Sequence, residues 1–139
     1  IRWADLDANI HMRHSAYNDY AAQTRLMFMA EQGFGMEWFK EYNVFPILFR
    51  EETIFLKEIH GNENIKIDAR LLKMSTDGSR WSIMNRFFKE DGVLAARLTV
   101  DGAWMDIVLR KLKSPPESLL QLFNELEKCE EFVWIEKKA

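Results

Sequence analysis

Near its start the chain reads Arg2-Trp3-Ala4-Asp5-Leu6-Asp7-Ala8-Asn9-Ile10-His11-Met12-Arg13-His14-Ser15-Ala16-Tyr17. A carboxylate, a carboxamide and an imidazole (Asp7, Asn9 and His11) recur here at every second position. On an extended segment they would project to one face at steps of about 6.5–7 Å. They would converge just ahead of a helix start, where unpaired backbone N–H groups and a partial positive charge are presented. Such a set suits acyl transfer: a carboxylate attacks a carbonyl or activates water, and backbone donors hold the developing oxyanion. Asn9 and His11 would orient the carboxylate or the water. The same alternation, with Ala4, Leu6, Ala8, Ile10 and Met12 on the opposite side, also describes a strand with one buried face and nothing more.

The elements around this segment have to hold it in place. Residues 15–32 read as a helix of about 25 Å, with Ser15 as its cap. Tyr17, Tyr20, Ala21, Thr24, Met27 and Phe28 form its apolar stripe, and Gly33 and Gly35 end it. Met36 to Tyr42 reads as a short second helix. From Ile47 onward the pattern changes to strands: 47–59, 65–71, 80–89 and 93 to about 109. Asp77-Gly78 and Asp91-Gly92 are hairpin signals, and Gly102 predicts a bulge or bend. Ser114-Pro115-Pro116-Glu117 predicts a helix capped by Ser114, with Pro115 first and Glu117 completing a capping box. The tail from Glu130 suits a short strand around Phe132 to Ile135. The expectation is an α+β fold in a single domain, 1–139: a curved antiparallel sheet of about five strands around one long helix, with a helix near the end.

Composition narrows the class. At 139 residues one core is enough, and a 47 % apolar fraction with 29 % charged residues is ordinary for a globular chain. The net charge of −3, with basic residues interleaved among acidic ones as in Lys89-Glu90-Asp91, does not supply a nucleic-acid surface. The single cysteine, Cys129, cannot form an internal disulfide and points to a reducing, cytoplasmic setting. No apolar run is long enough to cross a membrane, and no signal peptide is visible. The chain opens on Ile1 rather than methionine, which predicts natural residues ahead of it. No G-x-S-x-G elbow, phosphate-binding loop or dinucleotide fingerprint is present.

Other residues carry weaker readings. Asp5 reads as a structural acceptor. Glu51 and Glu52 sit in the first strand after the helices, from which they could face a site across a dimer. His60, beside Gly61, reads as solvated. Cys129 is expected at a helix end, where Glu127, Glu130 and Glu131 would raise its pKa and leave it unreactive. Asp7, Asn9 and His11 form too small a set for a metal without further His or Cys ligands, so neither metal nor cofactor is expected. Met27, Phe28, Met29 and Phe34 read as core, and equally as walls of an acyl tunnel.

The opening segment resembles the signature of hotdog thioesterases of the 4-hydroxybenzoyl-CoA thioesterase and acyl-CoA thioester hydrolase branch, in which R-[YF]-x-D-x-D leads to G-H-V-N-N and a Tyr. It is closer still to the D-L-D-x-N-x-H-x-N-N-x-x-Y run of plant acyl-ACP thioesterases, matched at Asp5, Leu6, Asp7, Asn9, His11 and Tyr17. The resemblance implies hydrolysis of an acyl-CoA or acyl carrier protein thioester. It implies Asp7 as the catalytic carboxylate, Asn9 and His11 as its companions, and oxyanion donors at the backbone N–H groups of His14 or Ser15. Tyr17 and Arg13 would contact substrate, and the domain would work as a homodimer or homotetramer. Arg50, Lys57 and Arg110-Lys111 are candidates for CoA phosphates. Two departures stand out: the family's Asn-Asn pair is Arg13-His14 here, and the Gly common before the His is Ile10. They keep open a non-catalytic binding or scaffold module, alongside a hydratase or dehydratase on the same fold.

Overall fold

The computed structural model describes residues 1–135. Its elements are α1 (His14–Glu31), α2 (Met36–Tyr42), β1 (Phe45–Phe55), β2 (Lys66–Ser75), β3 (Arg80–Phe88), β4 (Leu94–Asp106), β5 (Lys111–Leu112), α3 (Glu117–Glu125) and β6 (Lys128–Ile135). The sheet has six strands, in the order β1-β4-β3-β2-β6, with the short β5 on β4. All pairings are antiparallel except β2 with β6, which is parallel. The expected sheet on one long helix is present. The tail strand, β6, begins at Lys128, ahead of the Phe132 start the sequence suggested, and the short β5 is the strand the sequence did not mark. The rest of the tail that the sequence reading covered lies outside the described residues.

Alternation along the strands gives the sheet two unlike faces. Phe87, Leu98, Val100, Ile83 and Leu71 are buried on the face covered by α1, together with Ala16, Tyr17, Ala21 and Met29 of the helix. The other face is polar: Arg86 and Arg70 both pair with Asp68, and Ser82 donates to Asp101 at 2.6 Å. One face supplies the core, and charged networks keep the opposite face wet.

Both hairpin glycines adopt the left-handed conformation their turns need, Gly78 at φ 76° and Gly92 at φ 87°. The bend expected at Gly102 is a bulge in β1: the register slips between Leu48 and Arg50, opposite Gly102 and Asp101. The last helix starts later than its sequence suggests. Its cap is Pro116, with φ −52° and ψ 151°, and no side-chain cap is made. Pro116 forces the residue before it away from helical angles, so Ser114 and Pro115 stay outside the helix.

Candidate active site

The segment leading into α1 is not extended. Trp3–Asp5 forms a 3-10 turn. Residues 7–11 close a tight loop: Asp7 N donates to His11 O at 2.9 Å and Ile10 N to Asp7 O at 3.1 Å. Ile10 sits at φ 61°, a left-handed conformation that costs a β-branched residue energy and suits glycine. The period of two in the sequence misled because Asp and Asn side chains compete with a strand ladder for local backbone donors. Asp7 Oδ1 accepts from the backbone N–H of Asn9 at 2.9 Å and of His11 at 3.1 Å.

Two anchors fix this loop. Asp5 is fully buried and accepts from Arg2 N at 2.8 Å and from the Tyr20 hydroxyl at 2.6 Å. Its backbone oxygen takes Arg13 N at 2.7 Å, the residue that caps α1. On the other side, Met12 N donates to Ile59 O at 2.8 Å and Gly61 N to Ile10 O at 3.1 Å, which stitches the loop to residues 59–61. The structural role expected for Asp5 is the one it plays.

The loop opens onto a hollow of about 410 Å³, lined by Asp7, Asn9, His11, Met12, His14 and Tyr17, with Phe55, Leu56, Lys57 and Glu58 as the facing wall. The Asp7 carboxylate is exposed, and its Oδ2 has no partner among the described residues. His11 Nε2 stands 3.4 Å from Glu58 Oε2, and its ring meets that of His60 edge-on at 5.1 Å. Tyr17 packs edge-on against Phe55 at 5.0 Å. Burial first, then the Asp7 and Glu63 carboxylates, push its phenol pKa up, so the hydroxyl stays a protonated donor. The helix begins at His14, one residue ahead of Ser15, so the backbone N–H groups of both lie in the first turn, where no intrahelical acceptor exists.

Of the residues read from sequence, the hollow therefore gathers Asp7, Asn9, His11, His14 and Tyr17. Ser15 does not line it and is not the helix cap; its Oγ accepts from Arg13 Nη1. Arg13 also turns elsewhere, donating from Nε to Ala4 O at 2.9 Å and approaching Asp5. Of the basic candidates only Lys57 reaches the wall; Arg50, Arg110 and Lys111 do not. Glu51 and Glu52 lie in β1 and do not line the hollow either. His60 is exposed as expected, yet it touches His11. Cys129 lies in β6 rather than at a helix end; burial first, then Glu131, push its thiol pKa up. The sequence reading missed Glu58 and the Phe55–Leu56 wall, which are remote in the chain from the motif. No group of three or more His, Cys, Asp or Glu residues among the described residues could hold a metal. No helix among them is long and apolar enough to cross a membrane.

A mostly antiparallel sheet laid on one long helix is the hotdog architecture. A protein-family model for the thioesterase-like superfamily matches residues 1–123, and the chain belongs to that superfamily. Among solved structures it is similar to a hypothetical protein of Staphylococcus aureus in complex with CoA: 19 % identity, TM-score 0.82, covering 100 % of this chain and 90 % of that one. It is also similar to a 1,4-dihydroxy-2-naphthoyl-CoA thioesterase from Synechocystis, at 12 % identity and TM-score 0.80, covering 91 % and 92 %. A DHNA-CoA thioesterase from Staphylococcus aureus matches at 19 % identity and TM-score 0.75, covering 98 % and 94 %. No curated protein gives a significant match.

Proposed function

We propose that the protein hydrolyses an acyl thioester, with coenzyme A or a carrier protein as the thiol, and that Asp7 carries the reaction. The observation behind this reading is the shared position of two features. A carboxylate with one oxygen fixed by two backbone donors and the other unengaged stands in the same hollow as the first turn of α1. Asp7 Oδ2 activates water, or attacks the thioester carbon itself. The carbonyl oxygen becomes an oxyanion facing the N–H groups of His14 and Ser15, at the positive end of the helix. The C–S bond then breaks and the thiolate takes up a proton; on the water route this frees the acid, and on the attack route a water then hydrolyses the acyl-Asp7 anhydride, which frees the acid and restores the carboxylate. Asn9 and His11 orient the water and the carbonyl, and the Tyr17 hydroxyl donates to the substrate. The CoA-bound neighbour and the CoA thioesterases among the similar structures support a CoA ester in particular, and Lys57 on the wall is the cation in reach of its phosphates.

The test is thiol release from a panel of acyl-CoA esters by the wild type, Asp7→Ala and Asp7→Asn. Loss of the catalytic carboxylate lowers kcat/KM by about a hundredfold or more. Release that survives both substitutions removes Asp7 from the reaction. An enoyl or hydroxyacyl thioester formed without free thiol identifies a hydratase instead.

A further inference from the structure

A second hollow, of about 220 Å³, lies between the later half of α1 and the sheet. Its walls are apolar, with Leu26, Met29, Trp81, Trp104 and Phe123 among them, and one charged side chain enters: Arg25. Arg25 is only 8 % exposed. Its guanidinium makes one hydrogen bond, from Nη1 to Asn85 Oδ1 at 2.7 Å, and no carboxylate lies within ion-pair distance among the described residues. Asn85 is itself fully buried, and its Nδ2 is taken by Asp68 O at 2.9 Å. A guanidinium has five N–H donors; one is taken by this neutral partner, and no Arg25 nitrogen is both buried and unpaired, so the others stay open to an acceptor. A cation lining an apolar chamber with no carboxylate against it is a costly arrangement, and an anionic group entering the chamber relieves it.

Both hollows border α1 and the same side of β1. On the α1 side of β1, Phe55 closes the first hollow and Pro46 and Leu48 wall the second. Between them Thr53 meets Asn18 of α1 at 3.3 Å. Along the helix, the first-turn N–H groups and Arg25 are about 15 Å apart, and helical side chains lean back toward the N-terminus, which shortens the gap. We infer that the second hollow receives the far end of the acyl group and that Arg25 selects an acyl group ending in a carboxylate, such as the monothioester of a straight-chain dicarboxylic acid. This rests on the hydrolytic reading of the first hollow and names the substrate class for it. Burial pushes the Arg25 guanidinium pKa down, and the Glu51 carboxylate offsets this only in part, in keeping with a cation short of a counter-charge.

The experiment compares kcat/KM for decanoyl-CoA and for the CoA monothioester of decanedioic acid, in the wild type, R25K and R25M. The expected result is a preference for the carboxylated ester of at least about tenfold, kept in part by R25K and lost in R25M; the ratio is the readout, so a general loss of activity does not mimic it. Equal use of the two esters, or a preference that survives R25M, overturns the inference while leaving hydrolysis intact. Calorimetric binding of free decanedioate and decanoate to the wild type needs no variant and no turnover. Tighter binding of the diacid supports the subsite even if no thioester is cleaved, an outcome that defeats the hydrolytic reading alone. Equal binding of the two acids overturns the subsite.

Discussion

Asp5 and Asp7 stand two positions apart and meet opposite environments. Asp5 is buried among Arg2, Tyr20 and backbone donors, whereas Asp7 is exposed and half engaged. The hydrogen bonds from Arg2, joined by Tyr20, hold the Asp5 carboxyl well below its ordinary value of 3.8. A carboxylate depressed in the folded state contributes stability that is fully present above the unfolded pKa and is lost as pH falls through the folded one. Wild-type stability therefore falls as pH drops below about 4 and keeps falling under the ordinary carboxylate range. Asp5→Asn, followed by urea unfolding against pH, loses most of that acid-side slope. Asp5→Ala removes the acceptor of the Tyr20 hydroxyl and costs roughly 1–3 kcal/mol at neutral pH. An unchanged acid limb in Asp5→Asn would show that the carboxylate is not what the loop titrates on. Asp5 and Asp7 are both legible in sequence as acids next to a helix start. The structural role of Asp5 is legible as well, but the partner that fixes it is not: Tyr20 lies fifteen positions along the chain from Asp5.

At the scale of elements, the α1 stripe shows what sequence pattern conveys and what it leaves out. The apolar positions implied Met27 on the buried side, but Met27 is half exposed, and the buried row runs through Ala16, Tyr17, Ala21, Arg25 and Met29. The stripe omits a charged position, Arg25, the one buried cation among the described residues. The strands and their hairpins were legible because Gly and Asp mark turns chemically. The loop at residues 7–11 was not, because its polar side chains fold onto their own backbone. Gly102 is a case where the signal was right and its cause lies in three dimensions. A Cβ there would stand 2.5 Å from Ile47 O and 2.5 Å from the Trp81 ring. Gly102→Ala therefore pushes β1 away at its bulge or displaces Trp81, at a cost of about 1–3 kcal/mol. Urea unfolding gives the cost, and the near-ultraviolet signal of the tryptophans reports the displacement. A neutral substitution would mean that the bulge has slack the packing does not suggest.

For the whole molecule, the unresolved balance is at β1. It is an edge strand of 11 residues with β4 on one side only. Along it Leu48, Phe49, Ile54 and Phe55 are 41–56 % exposed. An open edge with exposed apolar side chains on both sides of the charged Arg50-Glu51-Glu52 run invites pairing with another chain unless something covers it. The natural cover is a second copy presenting the same edge, an isologous contact of the commonest kind. That contact would lie beside the strand that borders both hollows, so the acyl group would be enclosed only in the assembled state. We propose that the protein works as a dimer through β1. Phe49→Asp with Ile54→Lys alters two exposed side chains and leaves the core alone, so the monomer fold is kept by circular dichroism. The expected result by sedimentation velocity is a dimeric wild type and a monomeric double variant, with catalytic efficiency falling along with assembly as water enters the hollows. A wild type that stays monomeric at every concentration tested would leave the β1 edge uncovered, and the acyl group would then have to be shielded by this chain alone.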